Sequence, residues 1–327
     1  MEAVLEFEKP ISLLEKKIKE LQELEASGSM DFKTEISALE KRLAALIRET
    51  FENLTPWQRV QLSRHPARPY TLDYIAAIFD DFIELHGDRY FGDDGAIVAG
   101  LATLSGHSVA VVGIQKGRNT KEKITRNFGM ARPEGYRKAL RIMKLAGQFG
   151  VPIITFVDTP GAYPGLDAEE RGQAEAIARS LLESFDIPSP IVACIIGEGG
   201  SGGALALAVA DVVLMQEYST YSVISPESCA SILWSDSSQH ATAAGIMKMT
   251  PEQILPLGVI DAVVKEPLGG AHRDHQKAAA LLKAALIKEI SKLCCIPEKK
   301  LLDNRKRKFR AMGSQTLRSV EAHEDLR

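Results

Sequence analysis

The chain has 327 residues, 45% of them apolar, and a formal net charge of −3. This allows one large core, or a core with helical additions, and offers no global argument for nucleic-acid binding. No run of about 18 or more apolar residues occurs, so no membrane span is predicted, and residues 1–9 lack the basic start and apolar stretch of a secretory signal, so the expected location is cytoplasmic.

Residues 1–55 read as an N-terminal helical hairpin. Leu14, Ile18 and Leu21 recur at helical spacing, as do Leu39, Leu43 and Leu46. The stretch 27–31 breaks the pattern, and Asp31 is suited to cap the second helix. Residues 56–270 read as the core. Pro56, Pro66 and Pro69 make its start irregular, and a helix opening at Thr71 is expected to run to near Leu85. From residue 96, apolar runs of strand length appear at 97–104, 109–114, 153–157, 191–196 and 212–215, with helical stretches at 135–149 and 168–182. Strand alternating with helix predicts an α/β core, and unbroken apolar runs predict a sheet covered on both faces. A capped helix start at Thr250-Pro251 and a strand over 258–264 close it. Residues 271–327 read as a C-terminal helix over 275–293 and a basic, polar tail, solvated from residue 304 onward.

Cys194 lies in an apolar run and reads as a small buried hydrophobe. Cys229, Cys294 and Cys295 complete the cysteines; no C-x-x-C pair exists, so no metal site is assigned to this chain. Between residues 116 and 144, Lys116, Arg118, Lys121, Lys123, Arg126, Arg132, Arg137, Lys138, Arg141 and Lys144 face only two acids, Glu122 and Glu134. Such a segment is either a solvated face or a site for phosphates or a carboxylate.

One pattern occurs twice: a strand, a glycine-rich turn, then a helix. The first copy ends in Asp158-Thr159-Pro160-Gly161-Ala162-Tyr163-Pro164-Gly165, the second in Gly197-Glu198-Gly199-Gly200-Ser201-Gly202-Gly203. Glycine permits unusual dihedrals and close approach, and the first amides of a helix point outward with the helix dipole behind them. Two facing loops of this kind can hold a thioester oxygen as it becomes an enolate, one well-placed donor being worth about 3 kcal/mol. Other readings compete. Gly197-x-Gly199-x-x-Gly202 with Glu217 downstream matches a dinucleotide fingerprint. Gly199-x-Ser201-x-Gly203 matches a nucleophile elbow, with Asp211, Asp236, His240, His272 and His275 as available partners. Tight packing turns without catalysis are the plain alternative.

At these loops the sequence resembles the crotonase superfamily, whose fold is a ββα spiral. The resemblance implies backbone oxyanion donors at Gly202 and Gly203, with the first loop contributing near Gly161 and Ala162. The acid that hydratases of that superfamily carry three residues after the donor glycine is Leu205 here, which argues against water addition; a second hydratase acid has a counterpart in Glu227. A finer resemblance, over nearly the whole chain, is to the carboxyltransferase alpha subunits of bacterial and plastid acetyl-CoA carboxylase. It rests on residues 79–94 with Arg89-Tyr90-Phe91-Gly92-Asp93-Asp94, on Gln115-Lys116-Gly117-Arg118, Arg126-Asn127-Phe128-Gly129-Met130 and 133–141, and on both glycine loops and Ser225-Pro226-Glu227.

The resemblance implies transfer of carboxyl from N1-carboxybiotin, borne by a biotin carrier protein, to acetyl-CoA, giving malonyl-CoA for fatty acid synthesis. It implies a beta chain of the same fold as partner, as α2β2, sharing the active site and holding zinc in a four-cysteine ribbon, and a biotin carboxylase in the same system. No cofactor is expected to be bound covalently by this chain. Gly199, Gly200 and Tyr163 would line the biotin side, and Arg126 and Arg137 would suit a carboxylate, CoA phosphates or an acidic partner. The alternatives are a stand-alone acyl-CoA hydratase or hydrolase of the same fold, and a non-catalytic scaffold.

Overall fold

The structure, a computed structural model, describes residues 4–27 and 32–313. Two helices, α1 (Lys9–Ala26) and α2 (Lys33–Glu52), open it. Their apolar stripes turn inward: Ile11, Ile47 and Phe51 join Leu54, Leu62 and Tyr218 in one buried cluster. Asp31, expected as a cap, lies outside the described residues. At α3 (Pro56–Ser63) the Thr55 hydroxyl accepts the Gln58 amide at 3.2 Å while the Gln58 side chain accepts the Thr55 amide at 2.8 Å, a reciprocal cap.

The helix expected to reach Leu85 stops early. α4 (Thr71–Ile78) gives way to β1 (Asp80–Glu84), an edge strand pairing antiparallel with β2 (Ile97–Leu104). Only Phe82 and Leu85 of this stretch turn partly inward, past an irregularity at Asp81 (φ 52°). The polar strand therefore left no period-two signal. β2 returns as β3 (His107–Ile114) through Ser105 and Gly106, both at positive φ, the backbone a two-residue hairpin turn requires.

From there the chain alternates. α5 (Thr120–Thr125) and α6 (Pro133–Gln148) lead to β4 (Ile153–Thr159); α7 (Leu166–Glu170) and α8 (Gln173–Ser184), split at Gly172 (φ 80°), lead to β5 (Ile191–Gly200). α9 (Ser201–Ala208) leads to β6 (Val212–Gln216) and the short β7 (Thr220–Ser222). α10 (Pro226–Trp234), α11 (His240–Ile246) and α12 (Pro251–Ile254) precede β8 (Ala262–Val264), and α13 (His275–Leu293) and α14 (Glu298–Ala311) end the described chain. The sheet order is β1-β2-β3-β4-β5-β6-β8 with β7 paired to the end of β5. From β3 onward all pairs are parallel.

Every residue of β4 and β5 is buried, because each face carries its own apolar layer. On one, Tyr136, Ile142 and Met143 of α6 and Ala204 and Leu207 of α9 pack on Ile97, Val112 and Ile195. On the other, Tyr74 and Ile75 of α4 and Leu282 and Leu286 of α13 pack on Val98, Ile154 and Leu214.

The tail expected to be solvated from residue 304 is instead the helix α14, docked on the core. Arg305 is 1% exposed. Its guanidinium holds Asp211 at 2.6 and 2.9 Å and donates to the carbonyls of Ser184, Ile187 and Ser189 at 2.7–2.9 Å. One inward arginine was hidden among basic neighbours. Residues 314–327 lie outside the described residues.

Candidate active site

The two glycine loops meet where the parallel strands β4 and β5 end. Glycine is required by that meeting. A Cβ on Gly197 would stand 2.5 Å from the Asp158 carboxylate, one on Gly200 2.3 Å from the Pro160 carbonyl oxygen, and one on Gly203 2.6 Å from the Ala162 nitrogen. These three positions, each three residues after the last, carry the second loop along the first. Gly199 is closed by the Tyr221 ring at 2.9 Å. Gly202 differs: its Cβ would meet only Ile177, at 3.6 Å. It lies half-exposed in the first turn of α9, behind the exposed Ser201, whose φ is 55°.

Amides on this edge fall into two groups. The Gly161 N–H is already bonded to the Thr159 hydroxyl at 3.0 Å, and the Tyr163 N–H to the Ala131 carbonyl at 3.0 Å. Within the first loop it is the Ala162 amide that has no hydrogen-bond partner among the described residues. On the second loop Gly202 and Gly203 are the second and third residues of α9, whose amides have no acceptor within the helix. Among the described residues, the amides of Ala162, Gly202 and Gly203 are thus free donors on this edge, beside that of Ser201 at the start of α9.

A row of alternating charges braces the loops from one side. The Asp158 carboxylate accepts the Glu198 N–H at 2.9 Å and the Lys116 ammonium at 2.7 Å. Lys116 also lies 3.8 Å from Glu198, which accepts from Arg64 at 2.8 Å; Arg64 in turn holds Glu227 at 2.5 Å. Burial pulls Lys116 and Arg64 down, but their carboxylate partners outweigh it and hold both above their ordinary values. Glu227 lies below the ordinary carboxylate value, the Arg64 bond overcoming its burial. The sequence marked Glu227 as the counterpart of a hydratase acid and Glu198 as a loop residue, and did not reveal Arg64 or the Lys116–Asp158 pair. Arg64 lies 134 residues from Glu198, a distance over which no spacing rule operates.

Tyr163 sits beside the first loop under the Arg132 guanidinium, 4.7 Å from its centre, and its carbonyl accepts from Gln173 at 2.9 Å. Arg126 and Arg137 make their hydrogen bonds elsewhere, Arg126 to the Gly95 carbonyl at 2.7 Å and Arg137 to Asp88 at 2.9 Å. Part of the basic segment is neutralised by carboxylates: Arg118 holds Asp73, Lys138 holds Asp93 and Lys144 holds Glu183. Lys121, Lys123, Arg126 and Arg141 have no carboxylate partner among the described residues, so the segment divides into ion pairs and unpaired bases.

The rival readings of the second loop lose their support. Two of the three fingerprint glycines are closed to a pyrophosphate, Gly197 by the Asp158 carboxylate and Gly199 by the Tyr221 ring, and Glu217 pairs with Lys265. Of the groups a serine nucleophile would need, Asp211 is held by Arg305, Asp236 bonds the Ser238 amide, His240 bonds the Ser237 carbonyl, His272 bonds Glu8 and His275 bonds the Ala67 carbonyl. Among the described residues the group suited to a cation is Glu8, His65 and His272. There the His65 Nδ1 accepts the Ala67 amide at 3.2 Å, and Arg273 already places a positive charge 3.8 Å from Glu8.

The architecture is that of the crotonase-type carboxyltransferases. Solved structures sharing it include a Pseudomonas malonate decarboxylase hetero-tetramer in complex with coenzyme A (TM-score 0.56, 16% identity, 72% of this chain and 92% of that one). Another is transcarboxylase 12S (TM-score 0.53, 21% identity, 67% and 42%). The sequence profile described as acetyl co-enzyme A carboxylase carboxyltransferase-like matches residues 4–313. Acetyl-coenzyme A carboxylase carboxyl transferase subunit alpha of Geobacter metallireducens is 58% identical over 94% of this chain and 97% of its own. That of Thermus thermophilus is 56% identical over 95% and 98%. The chain belongs to the family of acetyl-CoA carboxylase carboxyltransferase alpha subunits.

Proposed function

We propose that the chain provides the alpha half of a carboxyltransferase site that moves carboxyl from N1-carboxybiotin to acetyl-CoA, forming malonyl-CoA in the cytoplasm. The observation that carries this reading is the junction of the two loops, with the amides of Ala162, Gly202 and Gly203 free on one edge and the half-buried Leu205 where a hydratase would have its acid. The Gly202 and Gly203 amides stabilise the charge that builds on the ureido oxygen as the N1–carboxyl bond breaks. The methyl carbon of acetyl-CoA receives the carboxyl, and its proton returns to the ring nitrogen. Such a step needs positioned reactants and fixed dipoles, worth about 7–11 kcal/mol over free encounter, and no nucleophilic side chain.

In this reading Tyr163, Gly199 and Gly200 shape the biotin side of the edge, the Ala162 amide completes it beside Gly161, and Arg126 and Arg137 support the surrounding loops. A beta chain of the same fold, as α2β2, supplies the CoA surface and the zinc ribbon, and biotin arrives on its carrier protein after charging by a biotin carboxylase. The heteromeric assembly of the malonate decarboxylase neighbour favours a site shared between chains. The test is decarboxylation of malonyl-CoA in the presence of biocytin, with this chain alone and with its beta partner. Turnover is expected only in the mixture; a mixture shown to be complexed yet inactive would overturn the reading, and release of free CoA by the chain alone would favour a hydrolase.

A further inference from the structure

The motif Gly87-Asp88-Arg89-Tyr90-Phe91-Gly92 has no part in the chemistry above, yet it is built with unusual care. One oxygen of the buried Asp88 accepts the amides of Tyr90, Phe91 and Gly92 at 2.8–2.9 Å, and the other accepts Arg137 at 2.9 Å. Arg89 is held at φ 63°. This fixed loop presents its aromatic rings to solvent: Tyr90 is 85% exposed and Phe91 64%. Each is backed by a guanidinium, Arg137 at 5.2 Å and Arg171 at 4.6 Å.

Two further arginines flank the rings without a carboxylate partner among the described residues. Arg89 and Arg141 both donate to the His86 carbonyl oxygen, at 3.1 and 3.2 Å, and Arg141 donates again to the Gly87 carbonyl at 3.0 Å. The nearby acids Asp88 and Asp93 are engaged by Arg137 and Lys138. Partial burial and then the Arg89 charge pull Arg141 below its ordinary value, ahead of Asp88 and Asp93. Beside them a groove of about 530 Å³ between α6 and α8 is floored by Leu140 and Leu145.

We infer that this loop and the outer face of α6 form a docking surface for a protein partner carrying spaced acidic side chains, with Tyr90 and Phe91 as anchors and Arg89 and Arg141 as the matching charges. Rigid aromatic and arginine side chains are the composition of binding hot spots, and pre-ordering lowers the entropic cost of association. The Glu170 carboxylate beside the rings opposes a continuous polyanion and suits a partner in which acidic and apolar groups alternate.

The inference rests on the reading that the chain works with partner subunits, and its test measures binding. Purified beta chain, biotin carrier protein and biotin carboxylase are each titrated against this chain by interferometry, between about 50 and 300 mM NaCl. One of them is expected to bind at least about tenfold more weakly to Arg89→Gln/Arg141→Gln and to Tyr90→Ala/Phe91→Ala, with the salt dependence reduced in the first variant. Both variants are expected to melt with the parent. No binding by the parent, or affinities unchanged within about twofold, would overturn the inference. So would thermal protection of the parent, but not the arginine variant, by inorganic phosphate alone, which would mark a small-anion site. Biocytin-dependent turnover with saturating beta chain, retained in any of these cases, would leave the carboxyltransferase reading standing.

Discussion

The Asp158 carboxylate accepts the backbone N–H of Glu198 at 2.9 Å, so a side chain at the end of one strand sets the position of the neighbouring glycine loop. The carboxylate is 2% exposed and its counter-ion is Lys116, 2.7 Å away. Removing one member of a buried pair leaves the other uncompensated, at a cost of about 3–5 kcal/mol. Lys116→Met should therefore lower the urea midpoint and the biocytin-dependent rate together. Asp158→Asn keeps an oxygen for the Glu198 amide but strands the ammonium. The double variant should be more stable than the sum of the two losses predicts. Additive losses in that cycle would refute the clamp.

Gly202 and Gly203 are neighbours with opposite expectations. Alanine at 203 would force its Cβ within 2.6 Å of the Ala162 nitrogen and 2.7 Å of the Gly161 carbonyl carbon, so the first loop must move. Gly203→Ala should lose roughly 100-fold or more in turnover, as loss of an oxyanion donor does, and should lose stability. At 202 the added Cβ meets only Ile177 at 3.6 Å, and exchanging glycine for alanine within a helix favours the fold by up to about 1 kcal/mol. Gly202→Ala should keep its melting temperature, and Gly202→Val should fold yet lose turnover because the side chain obstructs a ligand at the amide. A fully active Gly202→Val chain would remove Gly202 from the site.

The glycine loops were legible because strand-length apolar runs end in them, and a buried parallel strand must be apolar on both faces. Ile153–Thr159 and Ile191–Gly200 satisfy that constraint locally. What escaped notice depends on distant partners. β1 is a polar edge strand recognisable only beside β2. Arg305 is a core residue only because Asp211 and three carbonyls await it. Arg64 becomes a site residue only through Glu198 and Glu227. The basic segment suggested an anion site because sequence counts its charges without the carboxylates that fold against them.

The N-terminal helices are tied to the core by an acid-sensitive contact. Glu8 is buried and bonds His272 at 2.9 Å. Burial raises its carboxyl, but the bond and charge of His272, then the charge of His65 and the Leu5 amide, outweigh this and leave it below the ordinary 4.5. The unfolded chain thus binds the proton first on acidification. The stabilisation is present above about pH 4.5 and lost as pH falls through the folded value. Urea unfolding of the parent and Glu8→Gln at successive pH values should show the parent more stable at pH 7, with the difference closing under acid. A difference constant with pH would rule this contact out as its source.

The docking of α14 yields the last expectation. Asp211 accepts not only Arg305 but also the Ile191 amide at 2.8 Å, so the C-terminal helix fixes the start of the strand whose far end is the second glycine loop. Arg305→Met would leave Asp211, 4% exposed at its side chain, without its cation in a low-dielectric setting. The loss should again be about 3–5 kcal/mol. Arg305→Lys should not restore it, because an ammonium cannot reproduce the planar fork that serves two carboxylate oxygens and three carbonyls at once. Because Arg305 braces the beginning of β5 and not the loop, turnover measured well below the melting temperature should stay within about twofold of the parent, while the melting temperature falls. A melting temperature unchanged in Arg305→Met would mean that α14 contributes little to holding β5. A rate lost at every temperature would mean that the start of the strand and the glycine loop move as one unit.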